Sequence, residues 1–315
     1  MSDSSSLLVE QDARNYVLVV LRRVIVFTVF ISVAFLLLFM AKHNYLNPRK
    51  SDPVKKTMAR SGCDMKIEIG DMCPSCTTEL GGKCELDSKG FNCPDIRHMA
   101  NTSMRQSQLV MTRLLRIFDL LAAKHNIRYW LSYGTLLGAA RHKGFIPWDH
   151  DVDIEMPMQD YIAFFKVASK ELPNDIFFQN SHTDTNLESA KNPGATLPIH
   201  QEIGYYTSPV NHRLRDKASC YGYCLLYGCN FHDGLMVDLF VSEREIKDVF
   251  PLKEMDFEGF VFPVPKNWRV ILQQDYGNDV LEIPDKVTDQ RPFITPYPMT
   301  TCKKLARESA DGSAH

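Results

Sequence analysis

Two aspartates that flank a single valine, Asp151-Val152-Asp153, restrict this chain more than any other stretch. In a β-strand successive side chains alternate between faces, so Asp151 and Asp153 leave on one side while Val152 and Ile154 enter the core. Two carboxylates held side by side repel each other, and the arrangement is costly unless a cation sits between them. Hard oxygen ligands of this kind suit Mg²⁺ or Mn²⁺, which keep water and substrate phosphate in their coordination shell. A strand from Asp151 to Met156 therefore predicts a metal-bound phosphate.

The residues before this strand fit that chemistry better than a solvated pair of acids would require. Ile127 to Ser132 is apolar enough for a strand, Gly134-Thr135 supplies a turn, and Leu136 to His142 has helix-forming composition closed by Gly144. The turn can bring backbone amides close to a phosphate, Arg141, His142 and Lys143 supply positive charge, and Asp149 adds a third acid. Downstream, Asp233 to Phe240 reads as a buried strand carrying Asp238, a charge that is unfavourable there unless it is paired or on a metal.

The rest of the chain divides by composition. Residues 1–15 read as a polar cytoplasmic tail and 16–41 as one transmembrane helix, because Val24 to Ala41 is an uninterrupted uncharged, mostly apolar run. Such a run is long for a signal peptide and lacks a small-residue exit. Residues 42–61 form a basic stem linker, and 62–100 a Cys-rich stem module with too few large apolar residues to hold a core without staples. Disulfides are the expected staples; the alternative is structural Zn²⁺ on Cys73, Cys76, Cys84 and Cys93. Cys220, Cys224, Cys229 and Cys302 offer two more bridges whose pairing is open, with His212 or His232 as alternative metal ligands. The total of nine cysteines is odd, which leaves at least one unpaired or paired between chains.

Lys and Arg are more frequent after the apolar run than before it, which by the positive-inside rule opposes a luminal domain. Cysteine density and the glycosylation acceptor Asn101-Thr102-Ser103 argue the other way. The expectation is a single-pass protein of the Golgi or ER membrane with residues 42–315 luminal. A formal net charge of −2 leaves no basic excess for nucleic acid.

Within 101–300, Ser103 to His125 has Val110, Leu114, Ile117 and Leu121 on one helical face, and Met158 to Leu172 is a second amphipathic helix opened by Pro157. Asp175 to Gln179 and Ile199 to Tyr206 are strand-like, separated by a polar loop suited to acceptor recognition. Phe257 to Val264 reads as a hairpin or edge strand, Lys266 to Tyr276 as a short helix, and 301–315 as a tail outside the core.

The segment from Leu131 to Ile154 resembles the LicD and fukutin-related family of phosphotransferases, and similarity continues through residues 233–240 and 262–268 to Tyr276-Gly277. It covers roughly Gln108 to Pro292. One departure is His150, where bacterial members commonly carry Asp. The resemblance implies fold class α/β (α+β), a nucleotidyltransferase-like mixed sheet flanked by helices. It also implies that Asp238 joins Asp151 and Asp153 as catalytic and metal-binding acids, with Asp238 the candidate for activating an acceptor hydroxyl. Gly134, Thr135, Arg141, His142, Lys143 and Asp149 would then contact the donor. The implied donor is a CDP-activated alcohol, from which a phospho-alditol or phosphocholine passes to a glycan on protein or lipid. A Mn²⁺-dependent glycosyltransferase and a non-catalytic scaffold of the same fold are the alternatives.

Overall fold

The computed structural model describes residues 84–180, 183, 212–229, 232–283 and 294–311. The expected membrane helix at 16–41, the stem linker, Cys63, Cys73, Cys76 and the strand expected at 199–206 lie outside them. Among the described residues no helix is long and apolar enough to cross a membrane.

Chain order begins with a small hairpin, β1 (Glu85–Asp87) and β2 (Gly90–Asn92). Helix α1 (Ser103–Lys124) follows, started by Thr102, whose side chain accepts from the Arg105 amide. Next come β3 (Trp130–Leu131), α2 (Tyr133–His142), β4 (Asp153–Met156), α3 (Met158–Glu171) and β5 (Ile176–Gln179). After them are β6 (His212–Asp216), β7 (Cys220–Tyr221), β8 (Met236–Val241) and the short α4 (Ile246–Val249). The hairpin β9 (Lys253–Phe257) and β10 (Phe260–Val264), then α5 (Trp268–Tyr276), β11 (Pro296–Tyr297) and α6 (Cys302–Ala310) complete the described chain.

Five strands form one mixed sheet in the order β3-β4-β8-β6-β5. Only β4 and β8 pair in parallel, and they are the two strands that carry the acids. Leu109, Leu114, Ile117 and Phe118 of α1 and Leu136 of α2 join Ile154, Leu239 and Phe164 in one apolar core. Burying each such side chain contributes about 1.5–3 kcal/mol, so packing on the face that Ile154 and Leu239 share holds the sheet.

Several local expectations shift. Gly134-Thr135 is not a separate turn but the first turn of α2, which begins three residues earlier than expected. The left-handed residue that ends α2 is Lys143 (φ 57°), not Gly144. Gly144 is needed for a different reason: a Cβ there would lie 2.5 Å from Glu258 Oε1. That carboxylate holds the Phe145 amide and the buried Arg105 guanidinium.

The Cys-rich segment is not separate where it is described, since Cys84, Cys93 and Ile96 belong to the main core. Cys84 and Cys93 are bonded to each other, so they do not serve the zinc alternative. The four later cysteines form Cys220–Cys302 and Cys224–Cys229, and His232 stacks on Phe177 instead of ligating metal with them. Residues expected as a free tail instead form α6, tethered through Cys302, with Leu305 buried.

Candidate active site

The parallel pairing of β4 with β8 sets Asp153 directly opposite Asp238. The Asp238 amide donates to the carbonyl of Val152 at 2.7 Å, which brings the residue before β4 into the same ladder. As a result one carboxylate oxygen from each of Asp151, Asp153 and Asp238 lies within 4.8 Å of the other two. Asp149, His150 and Asp151 form a second such group, so Asp151 is shared between them.

The loop that presents these acids is held by its carbonyls. Gln108 of α1 donates to the Asp149 carbonyl at 3.2 Å, and the Tyr221 hydroxyl donates to that of His150 at 2.5 Å. Helix α2 is stitched to the same place. Thr135 Oγ1 accepts from the Asp153 amide at 2.8 Å, and the Ser132 amide donates to the Asp153 carbonyl at 3.1 Å. Gly134 is required here because a Cβ would lie 3.0 Å from Asp149 Oδ2. The positive end of the helix dipole therefore faces the acids, and Ser132 Oγ is buried there without a hydrogen-bond partner among the described residues.

Folding makes this charge expensive. Burial first, then the charges of Asp151, Asp238 and Asp149, push Asp153 well above the usual carboxylate range against the pull of Arg213. Burial also raises Asp238, with Arg213 and Arg215 opposing and Asp151 adding to the rise. Arg213, opposite Asp238 on β6, puts Nε 2.5 Å from Asp238 Oδ1 with both side chains at 0% exposure. Among the described residues Asp238 Oδ2 is buried and has no hydrogen-bond donor. Three converging acids, two of them raised and one with an unused oxygen, fit a hard divalent cation.

Of the nine residues expected in the site, Gly134, Thr135, Asp149, Asp151, Asp153 and Asp238 are brought together. Arg141, His142 and Lys143 are not. Eight residues of helix separate Thr135 from Lys143, about 12 Å along the axis. Arg141 Nη1 donates to the carbonyls of Glu282 at 2.9 Å and Val280 at 3.3 Å. Burial, then the charge of Arg141, lowers His142 to about 4, so its imidazole is neutral. Lys143 is exposed and lines a cavity of about 310 Å³ with Ala139, Ala140, Glu254, Asp256 and Trp268, at the far end of the helix from the acids.

Three residues of this region were not anticipated. Ser132 reads as the end of a strand in the sequence but stands at the N-cap position of α2. Arg213 had a signal in the alternation Arg213-Leu214-Arg215, the period of a strand, though two arginines suggest solvent and not a sealed interior. Arg244 follows β8, with Nε 3.3 Å from Glu155 Oε2 and Nη2 2.7 Å from Asp275 Oδ2.

Residues 126–267 match the family model described as LicD/FKTN/FKRP, nucleotidyltransferase domain. The lipopolysaccharide cholinephosphotransferase LicD of Haemophilus influenzae is 40% identical over 93 residues, 30% of this chain and 32% of that protein. The ribitol 5-phosphate transferase FKRP of Homo sapiens is 28% identical over 167 residues, 50% of this chain and 29% of its own. An uncharacterized protein of Rickettsia typhi, RT0683, is 44% identical over 59 residues, 19% of each chain. The chain thus spans about a third or less of the length of these relatives.

Proposed function

We infer from this match that residues 126–267 belong to the LicD/fukutin-related family, and on that premise that the chain is a metal-dependent phosphotransferase. The donor in this reading is a CDP-activated alcohol, the group moved a phospho-alditol or phosphocholine, and the acceptor a hydroxyl of a glycan on protein or lipid. The observation that carries it is the clustering of Asp151, Asp153 and Asp238 against the positive end of α2. That is a place for a divalent cation beside a place for phosphate oxygens.

Asp151, Asp153 and Asp238 would hold Mg²⁺ or Mn²⁺, which when bound polarises phosphoryl oxygens and offsets their charge. Gly134 lets the backbone approach, and the first turn of α2 points amides at the phosphate. Asp238, sealed and paired with Arg213, acts as a ligand. Asp151, at 16% exposure, is more accessible than Asp153 and Asp238 and is assigned here to meet the acceptor hydroxyl. The hydroxyl oxygen forms a bond to phosphorus as the bond to the leaving CMP oxygen breaks, and the hydroxyl proton goes to a carboxylate or water. Positioning and electrostatics supply most of such a rate enhancement.

The chain is further placed as single-pass in the Golgi or ER membrane with this domain luminal. Three disulfides among the described residues support an oxidising compartment.

The test pairs binding with chemistry on the full-length protein. CDP-ribitol, CDP-choline and UDP-sugars are titrated with Mg²⁺ and then EDTA, and nucleotide release is measured with glycan acceptors. Metal-dependent binding and CMP release are expected. Asp153→Asn should abolish turnover by at least a thousandfold, on the order seen for loss of a group that stabilises transition-state charge. It should not lower the metal-free melting temperature, because it removes one of three repelling charges. Tight UDP-sugar binding would favour a glycosyltransferase, and an absence of nucleotide binding would leave a scaffold.

A further inference from the structure

Resting on the phosphotransferase reading, we propose that Arg244 is the cation that receives the donor phosphate, the role its sequence position gave to Arg141 and Lys143. An anionic donor entering a site of three acids needs positive charge beyond the metal. Arg213 and Arg215 are at most 1% exposed and already engaged, Arg213 with Asp238 and Arg215 with Gln179, Tyr223 and the Gly234 carbonyl. Arg244 is different: its side chain is 22% exposed.

The position of Arg244 follows from its neighbours. Its guanidinium carbon lies 5.8 Å from the ring centre of Tyr133, the residue that opens α2 and precedes Gly134. Its Nε approaches Glu155, which stands two residues along β4 from Asp153, on the same face and about 7 Å away. Arg244 therefore packs on the residue that opens α2 and contacts the acid two residues along β4 from Asp153.

Its present partners also leave room for a ligand. Glu155 Oε2 already accepts from Trp130 Nε1 at 3.1 Å and Ser242 Oγ at 3.0 Å, so it does not depend on Arg244. The shorter contact, Nη2 to Asp275 at 2.7 Å, is to a carboxylate that is 23% exposed. Among the described residues Nη1 has no hydrogen-bond partner. A guanidinium with one nitrogen free and another on a replaceable carboxylate suits two-point binding of phosphate. Asp275 then acts as a placeholder that competes with the donor.

That competition gives variants of opposite sign. Arg244→Gln should raise the donor KM and the Kd for CDP-choline with Mg²⁺ by about tenfold, with a smaller change in kcat. Asp275→Asn should lower both a few-fold, and its effect should vanish in the Arg244→Gln background. A purely structural ion pair would lower the melting temperature in both single variants and leave donor affinity unchanged, which overturns the proposal. So would an Asp275→Asn gain that persists without Arg244, since that is simple loss of a negative charge. If Arg244→Gln does not fold, Arg244→Lys keeps the charge but not the fork, and an unchanged donor Kd in that variant overturns the proposal. Failure of wild-type protein to bind any nucleotide sinks both this assignment and the phosphotransferase reading; wild-type binding that Arg244 variants do not alter sinks this assignment alone.

Discussion

His142 and the acid cluster sit at opposite ends of one helix and respond to protons with opposite sign. Burial and Arg141 take His142 from 6.5 down to about 4, so between those values the unfolded chain binds a proton that the folded chain refuses. Stability from this residue is complete above pH 6.5 and is lost as pH falls toward 4. A shift of this size corresponds to on the order of 3 kcal/mol. Asp153 and Asp238, whose folded pKa values are raised, do the reverse in the metal-free protein: stability is gained as pH falls from those values toward the ordinary 3.8. On the proposed metal-dependent reading, urea melts in saturating Mg²⁺ should suppress that second contribution. Under those conditions His142→Asn should flatten the loss of stability between pH 6.5 and 4; wild-type and variant slopes that coincide would show that His142 titrates normally. Residue chemistry was legible where a charge had no apolar excuse. Asp153 and Asp238 stand out because each lies among the apolar residues of a strand, and Asp151 stands out because it lies two residues before Asp153. Arg141 and Lys143 misled because nearness in sequence does not survive two turns of helix.

At the scale of elements, the strands with the clearest alternation were readable and the one with the most consequence was not. Strand β8 lies where Asp233 to Phe240 was expected, beginning at Met236 and ending at Val241, with Val237 and Leu239 flanking the acid. Strand β6 supplies the charge that faces Asp238, yet His212-Arg213-Leu214-Arg215-Asp216 has one apolar residue in five. Burial of two arginines is decided by partners from β5, β8 and the segment before β8, which no local pattern reveals. The connection into β8 crosses β6 closely at Gly234, where a Cβ would lie 1.7 Å from the Asp216 carbonyl oxygen. Backbone cannot yield there as a side chain can. Gly234→Ala should therefore destabilise by about 4 kcal/mol or more. Gly134→Ala, whose Cβ meets only the Asp149 carboxylate at 3.0 Å, should keep the fold and lose activity. Thermal melts and turnover of the two variants side by side check this, and equal melting temperatures would refute it.

At the scale of the whole molecule, staples tie both ends of the described chain to the domain that carries the acids. Arg97 bonds both carboxylate oxygens of Asp216 at the end of β6, at 3.0 and 2.7 Å, and also donates to the Pro298 carbonyl. Cys302 bonds Cys220 at the start of β7. Composition showed that the cysteines would bridge; it did not show that Cys84–Cys93 and α6 belong to the domain, because few apolar residues mark them and long-range pairing has no local signature. The same staples bear on the proposed luminal placement of the domain. Asn101 is exposed on the bend before α1, followed by Thr102 as helix cap and Ser103 as the third residue of the acceptor tripeptide. Full-length protein from secretory cells should lose apparent mass on digestion with an N-glycosidase, and Asn101→Gln should remove that shift. In intact microsomes the domain should resist added protease until detergent is present. Digestion without detergent would mean that Lys42, Arg49, Lys50, Lys55, Lys56 and Arg60, which outnumber Arg14, Arg22 and Arg23, set the orientation after all. The domain would then face the cytosol, where reducing conditions work against the bridges that hold Cys84 to Cys93 and Cys220 to Cys302.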